Sequence, residues 1–553
     1  MTSATTAPGT RASAAPVAGG NALAGTRTLI RFALRRDRVR LPVWIGALLL
    51  GTLTTANSFR TLYSDPQDRA NAVAGADSPA NLALSGPRHY LTDDGFGSIL
   101  SHQMIGFTAV LVGLMSVLVV TRHTRAEEET GRAELVRSTV VGRHAHLAAA
   151  LSVAVLANLV LALLLALGLT GLGLEGVDAA GSLVYGFAHA AAGLVFAAVA
   201  AVTAQFTAHT RGASGAALAV IGVAYALRAA GDSGGDGALS WLSPIGWVQR
   251  SYPYVDNRWW PLLLCLVCAV ACAAAGFVLS TRRDVGAGLR PEKLGSPTAS
   301  AALATPVGFA LRLHRGMLTG FGAGLFLMGA MYGSVLGEAE DMLQGIDEIE
   351  EALARLGGAS VVESFASMVM VVLTVVAAVY VVMAALRPRA EETAGRAEPL
   401  LATGLSRSRW VGGHLAVAMG GGTVVLLLAG LGFGVAGAAS TGDAGLLPDL
   451  VGAALAYAPA LWVTAGVAVV LFGWFPRAGQ AAWIVPVYAF VVGYLGQILQ
   501  FPGWMNNLSP FGHIPRLPAA DLDWTPLLLL TLVAAGLVWL GLAGFRRRDL
   551  DMK

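Results

Sequence analysis

Charge is scarce in this 553-residue chain: Asp, Glu, Lys and Arg make up only 13% of it, about half the share of an ordinary soluble domain. A soluble protein of this length would need two or three domains, each with a polar skin. With 55% apolar residues and a mean hydropathy of +0.64, the composition excludes that. Cysteine is nearly absent. Cys265, Cys268 and Cys272 share one apolar run, which rules out a disulfide framework and a spaced metal site. Lysine occurs only at Lys293 and Lys553, after Glu292 and Met552. No Gly-Lys-Ser/Thr loop for holding nucleotide phosphates exists, so any ATP hydrolysis must occur on another chain. A net charge of +3 gives no strong field for nucleic acid. Residues 1–26 hold no apolar core, so they read as a disordered tail rather than a signal peptide.

What is present is a series of apolar runs near the roughly 20 residues a helix needs to cross a bilayer. The runs are 41–59, 103–120, 147–170, 182–204, 212–230, 261–280, 317–337, 364–386, 415–438, 450–474, 478–500 and 526–545. Isolated strands would leave backbone groups unpaired in lipid, so the fold class is an all-α polytopic membrane protein with 12 transmembrane helices. A cytoplasmic N-terminus places 29 of the 37 Lys and Arg in cytoplasmic segments. By the positive-inside rule, both termini are then cytoplasmic.

The chain also repeats itself. RAEEETGRAE, Arg125 to Glu134, returns as RAEETAGRAE, Arg389 to Glu398, with eight of ten positions matching. Leu242-Ser243-Pro244-Ile245-Gly246 returns as Leu508-Ser509-Pro510-Phe511-Gly512, and Arg282-Arg283-Asp284 as Arg547-Arg548-Asp549. Arg211 recurs as Arg477. Landmarks in one order imply two six-span repeats, residues 27–284 and 307–553, joined by a cytoplasmic linker at 285–306. An even number of spans per copy makes the repeats parallel, a pseudo-dimer expected to enclose a path where the halves meet.

Two soluble features stand out. Arg27, Arg31, Arg35 and Arg38 fall on one helical stripe, as in a basic amphipathic helix lying on the cytoplasmic lipid surface. The two charged loops place Glu127, Glu128, Gly131, Arg132 and Glu134, then Glu391, Glu392, Gly395, Arg396 and Glu398, in one duplicated pattern. Glycine permits a sharp break between two short helices, and the charges can make directed hydrogen bonds. A duplicated charged projection reads as a docking element for another protein; the plainer reading is a loop that salt-bridges itself.

A Glu-Glu-x-x-Gly-Arg-x-Glu loop after the second of six spans resembles the coupling region of type 2 ABC-transporter permeases. The twelve-span form resembles the fused actinobacterial permeases described as polyketide-antibiotic, or tetronasin-type, exporters. The resemblance implies that each loop seats in one of two copies of a cytoplasmic ABC ATPase. It also implies that ATP and magnesium bind there and not to this chain, which would be a bacterial plasma-membrane permease and no enzyme itself. Its five residues per loop would then be the ATPase-coupling residues. The cargo would be a hydrophobic or amphipathic compound, a polyketide antibiotic or drug.

The alternative is a proton-coupled carrier with six plus six spans. Such carriers need buried ionisable groups, and no Asp, Glu, Lys or Arg falls near the middle of an expected span; Arg228 and Glu363 sit at edges, leaving His189 as the candidate. His189 and Asn158 could face a cavity or bond to a neighbouring helix. Gly231-Asp232-Ser233-Gly234-Gly235 copies the letters around a protease nucleophile, without a β-barrel to position a base. Residues 338–357 carry an apolar seam through Met342, Ile346, Ile349 and Leu353, expected to form an external acidic helix.

Overall fold

The computed structural model describes residues 21–549 apart from 64, 78, 234–236, 291–294, 339–360 and 496–502. Every regular element among them is helical. Eleven of the helices are long and apolar enough to cross a membrane, which makes this a multi-pass membrane protein. The chain divides into two compact units, Met1–Leu294 and Gly295–Lys553.

The first unit begins with α1 (Thr26–Arg36) and α2 (Arg40–Leu62), followed by α3 (Phe96–His123) and two short helices, α4 (Arg125–Glu129) and α5 (Arg132–Arg137). Next come α6 (Ala145–Leu172), α7 (Ala179–Phe206), α8 (Thr210–Ser233), the short α9 (Pro244–Gln249) and α10 (Trp260–Ser280). Helix α7 is the centre: α3, α6, α8 and α10 all pack on it. Its small side chains permit that. A Cβ on Gly186 would run into the carbonyl oxygen of Ala162 on α6, so only glycine lets the two backbones approach so closely.

The second unit holds α11 (Pro306–Ser334), α12 (Val361–Ala385), short α13 (Arg387–Thr393) and α14 (Ala397–Leu401), and the long α15 (Arg407–Thr441). It continues with α16 (Leu446–Ala456), α17 (Ala458–Trp474), α18 (Ile484–Phe490) and α19 (Trp524–Arg547). The tightest pairs are α11 on α15 and α17 on α19. Helix starts follow local chemistry: Asp178, Thr305, Ser406 and Asp523 each accept a first-turn backbone N–H, and Pro261, Pro306, Pro388 and Pro459 occupy first-turn positions where no N–H is needed.

Three expectations meet a different local structure. The run at 478–500 is not one helix as far as it is described: a 3₁₀ segment covers Pro476–Trp483, α18 follows, and a π turn covers Val491–Leu495. Pro486 lacks an N–H and fits only the first turn of a helix, so the α-helix cannot start much before Ile484. Residues 21–26, read as the end of a tail, are tied down. The carbonyls of Ala22 and Ala24 accept from His144 and Gly142 at 3.0 and 2.9 Å. The start of the expected linker also packs on the first unit, where Leu289 and Arg290 donate to Gln205 and Phe206 carbonyls at 2.8 and 3.0 Å. The acidic helix expected at 338–357 lies outside the described residues, apart from Glu338.

Candidate functional site

In each unit the charged loop is a pair of short helices broken at glycine. Gly131 has φ 73° and Gly395 φ 70°, the left-handed conformation that costs glycine little. A Cβ at either position would meet nothing within 4 Å, so it is the backbone turn, not space, that calls for glycine. The Gly131 N–H donates to the Glu128 carbonyl at 3.0 Å and the Gly395 N–H to the Glu392 carbonyl at 2.9 Å, closing α4 and α13.

The second carboxylate of each pair points inward onto the end of the unit's last long helix. Arg283 grips Glu128 through both terminal nitrogens, Nη1 to Oε2 and Nη2 to Oε1, at 2.8 Å each. Arg548 grips Glu392 in the same way at 2.7 Å. Parallel, bidentate contacts of this kind fix orientation as well as distance. Glu128 also accepts from Arg125 at 2.7 Å and from the Gly286 N–H at 3.3 Å. Arg389 stands in ionic contact with Glu392 at 3.6 Å. Arg125 itself is fully buried and donates to the carbonyls of Ala204 and Ala287. The repeated arginine motif and the repeated glutamate motif therefore meet in both units.

The first carboxylate of each pair bridges the glycine break. Glu127 pairs with Arg132 at 3.3 Å, and Glu391 hydrogen-bonds Arg396 at 2.5 Å. That hydrogen bond raises the Arg396 guanidinium above its ordinary pKa, and the neighbouring carboxylate charge adds to the shift. Glu391 also accepts from Arg387 at 2.8 Å. Glu127 instead reaches Arg36 on α1 in a short ion pair.

The structure thus separates the ten residues singled out in the sequence. Glu127, Glu391 and Glu392 are buried, and Glu128 nearly so, all held by the chain's own arginines. Arg132, Glu134, Gly395, Arg396 and Glu398 are exposed, and Gly131 is half-buried. Glu134 and Glu398 have no side-chain partner among the described residues. Beside Glu134 stand two apolar side chains in the open, Leu135 at 73% and Val140 at 94% exposure. At the corresponding place the second loop offers Pro399, also exposed. Each loop thus has a carboxylate root fixed to the end of the last long helix and an open outer face.

The basic stripe is also placed. Arg27, Arg31 and Arg35 are exposed on α1, whereas Arg38, also exposed, falls in the turn after the helix ends at Arg36 and so leaves the expected stripe; Ala33 is buried and α1 packs on α6. Arg36, one step past the stripe, turns inward to Glu127, a contact that sequence periodicity did not single out. Glu129 reaches another element, accepting from the Thr210 N–H and Oγ1 at 3.0 and 2.6 Å and so capping α8.

The ambiguous polar residues of the spans are bonded to neighbouring side chains and helix turns. His189 uses both ring nitrogens, toward Thr108 Oγ1 at 2.5 Å and the Tyr185 carbonyl at 2.7 Å. Asn158 donates to Ser116 Oγ at 2.9 Å and to the Ala154 carbonyl at 2.8 Å. A charged group that the sequence reading placed at a span edge is fully enclosed: Arg228 lies 3.9 Å from Asp232, which also contacts Arg250 at 3.3 Å and accepts from Ser240 at 2.7 Å.

A family model described as "Multidrug efflux system permease Rv1217c, C-terminal domain" matches residues 27–279 and 303–546. The multidrug efflux system permease protein Rv1217c of Mycobacterium tuberculosis (strain ATCC 25618 / H37Rv) is 42% identical over 534 residues, covering 96% of each chain.

Proposed function

Because the chain belongs to the Rv1217c-type multidrug efflux permease family, we propose that it is the membrane-spanning subunit of an ATP-driven ABC exporter. Its cargo is a hydrophobic or amphipathic compound, a class that includes the polyketide antibiotics implied by the sequence resemblance. Two copies of a separate cytoplasmic ATPase supply the energy, one at each charged loop, since this chain has no Gly-Lys-Ser/Thr nucleotide loop.

The observation that carries the reading is the matched pair of anchored loops. In each unit a glycine-broken helical hairpin is fixed at its root by a bidentate Arg–Glu contact to the last long helix, and shows an unpaired glutamate outward. Partner binding falls to the outer residues Arg132, Glu134, Arg396 and Glu398. The inner carboxylates Glu127, Glu128, Glu391 and Glu392 act as positioning residues that pass the motion on. The excess of basic residues on the loop side supports a cytoplasmic position for these loops. A proton-coupled carrier is the weaker reading, because both nitrogens of His189 are already engaged inside the bundle.

The test is co-purification with candidate ATPases encoded beside this chain. Glu134→Arg with Glu398→Arg should lose the ATPase while the permease stays folded. If both variants keep the ATPase bound and drug-stimulated hydrolysis intact, the loops are not the docking elements.

A further inference from the structure

At the loop end of the first unit, a cavity of about 310 Å³ opens between the start of α2, the second half of α3, α4 and the first turn of α8. That volume is within the range of small-molecule sites. Its walls divide by chemistry. Leu41, Trp44, Met115 and Leu118 make an apolar floor, while Arg40, Arg122 and the hydroxyl residues Thr210 and Ser214 form a polar rim.

The rim is built to receive negative charge. Arg40 is exposed and has no ion-pair partner among the described residues. Arg122 stands 3.3 Å from Asp37 through Nε, yet its Nε and Nη1 are buried without a hydrogen-bond partner. Two carboxylates border the rim: Asp37, in ionic contact with Arg122 and hydrogen-bonded to His123 at 2.5 Å, and Glu129, which is held by Thr210. Arg38 and Arg35, both exposed, continue the positive surface along the neighbouring turn and helix. The occupant that fits carries an anionic group at one end and hydrocarbon at the other.

We propose that this cavity is a binding site for a phosphate-bearing anionic lipid, its phosphate held by Arg40 and Arg122 and its upper acyl chain laid against Trp44 and Leu118. Guanidinium suits phosphate because it presents a planar fork of donors, and basic pockets between membrane helices are a recurring way of holding lipid head groups. The position gives the lipid a consequence. Ala126 of α4 lines the same cavity, and Thr210 on its rim is the residue capped by Glu129, so an occupant braces the first charged loop. In the second unit the run Phe32-Ala33-Leu34-Arg35 returns as Phe309-Ala310-Leu311-Arg312, an offset of 277, which puts Met317 at the place of Arg40 and Phe321 at that of Trp44. The site belongs to the first unit.

The full-length protein, purified in neutral detergent, tests this. Retention of phosphatidylglycerol and of phosphatidylcholine is measured by native mass spectrometry, and melting temperature is followed with each lipid and with inorganic phosphate. Wild type should retain phosphatidylglycerol selectively and be stabilised by it. Arg40→Gln should weaken that retention about fivefold, the contribution of one arginine near an anionic lipid, without changing the melting temperature in phosphatidylcholine. Ser214→Trp, which fills the cavity without removing charge, should weaken it as well. Equal retention of the two lipids by wild type overturns the proposal, as does undiminished phosphatidylglycerol retention in both folded variants. Stabilisation reproduced by inorganic phosphate alone overturns it too, because the rim would then read a free anion and not a lipid.

Discussion

Arg548 meets Glu392 with two hydrogen bonds of 2.7 Å, and Glu392 is fully buried beneath it. Breaking such an enclosed pair from one side leaves a charge uncompensated, an effect of about 3–5 kcal/mol. Glu392→Ala should therefore lower the melting temperature clearly more than Glu398→Ala, whose side chain stands in solvent. Arg548→Lys keeps the charge and loses the fork. It should leave the protein folded but reduce efflux in cells. Efflux at the wild-type level from a folded Arg548→Lys protein would remove the transmitting role assigned to the contact.

Gly131 and Gly395 separate conformation from space. Alanine at either would touch nothing new, yet it would have to adopt a left-handed backbone, unfavourable by about 1–2 kcal/mol. Gly131→Ala should raise hydrogen exchange across residues 125–137 and leave α3 and α6 protected. Unchanged exchange in that segment would show that the break does not depend on glycine.

Arg35 and Arg36 are neighbours with opposite tasks. Arg35 is exposed on the basic stripe, whereas Arg36 turns in to Glu127. Arg36→Gln should loosen the α4–α5 loop, seen as faster proteolysis there, while Arg35→Gln should leave that rate alone and weaken binding of the protein's α1 region to anionic vesicles. Equal proteolysis of the two variants would place Glu127's anchor elsewhere.

Much of this arrangement was legible in the residues, and what was not has a physical cause. Composition and apolar run length sufficed for a polytopic helical protein, because a bilayer imposes a minimum helix length. The glutamate and arginine motifs were visible as repeats, but their meeting was not. Glu128 and Arg283 are 155 residues apart, and pairing across that distance depends on how α3 and α10 both pack on or near α7. The plainer reading of the loop, that its charges pair internally, holds for Glu127 with Arg132 and Glu391 with Arg396; the unpaired Glu134 and Glu398 keep an outward face. Periodicity pointed to the exposed arginines of α1 and passed over Arg36, since a stripe pattern ignores the one residue that leaves it. The run at 478–500 misled because hydropathy does not register that Pro486 restricts where a helix can begin.

The enclosed charges of the first unit give a final prediction. Arg228 and Asp232 lie one helical turn apart on α8, both without exposed side-chain surface, and Arg250 reaches the same carboxylate from beyond α9. Arg228 also donates to the Leu84 carbonyl at 2.6 Å and lies over the Tyr225 ring at 4.2 Å, so it is held by more than its counter-ion. Asp232→Ala leaves two guanidinium groups facing each other around an empty position. Arg228→Met leaves Asp232 with Arg250 and Ser240, which already satisfy one of its oxygens. Asp232→Ala should thus be the more destabilising single change, by about 3–5 kcal/mol. The combination Arg228→Met with Asp232→Leu should recover part of that loss, because both members of the fully enclosed couple are then replaced by apolar groups. Melting temperatures of the three variants in the same detergent decide it: a double variant no more stable than Asp232→Ala alone would mean that Arg250, not Arg228, is the partner on which Asp232 depends.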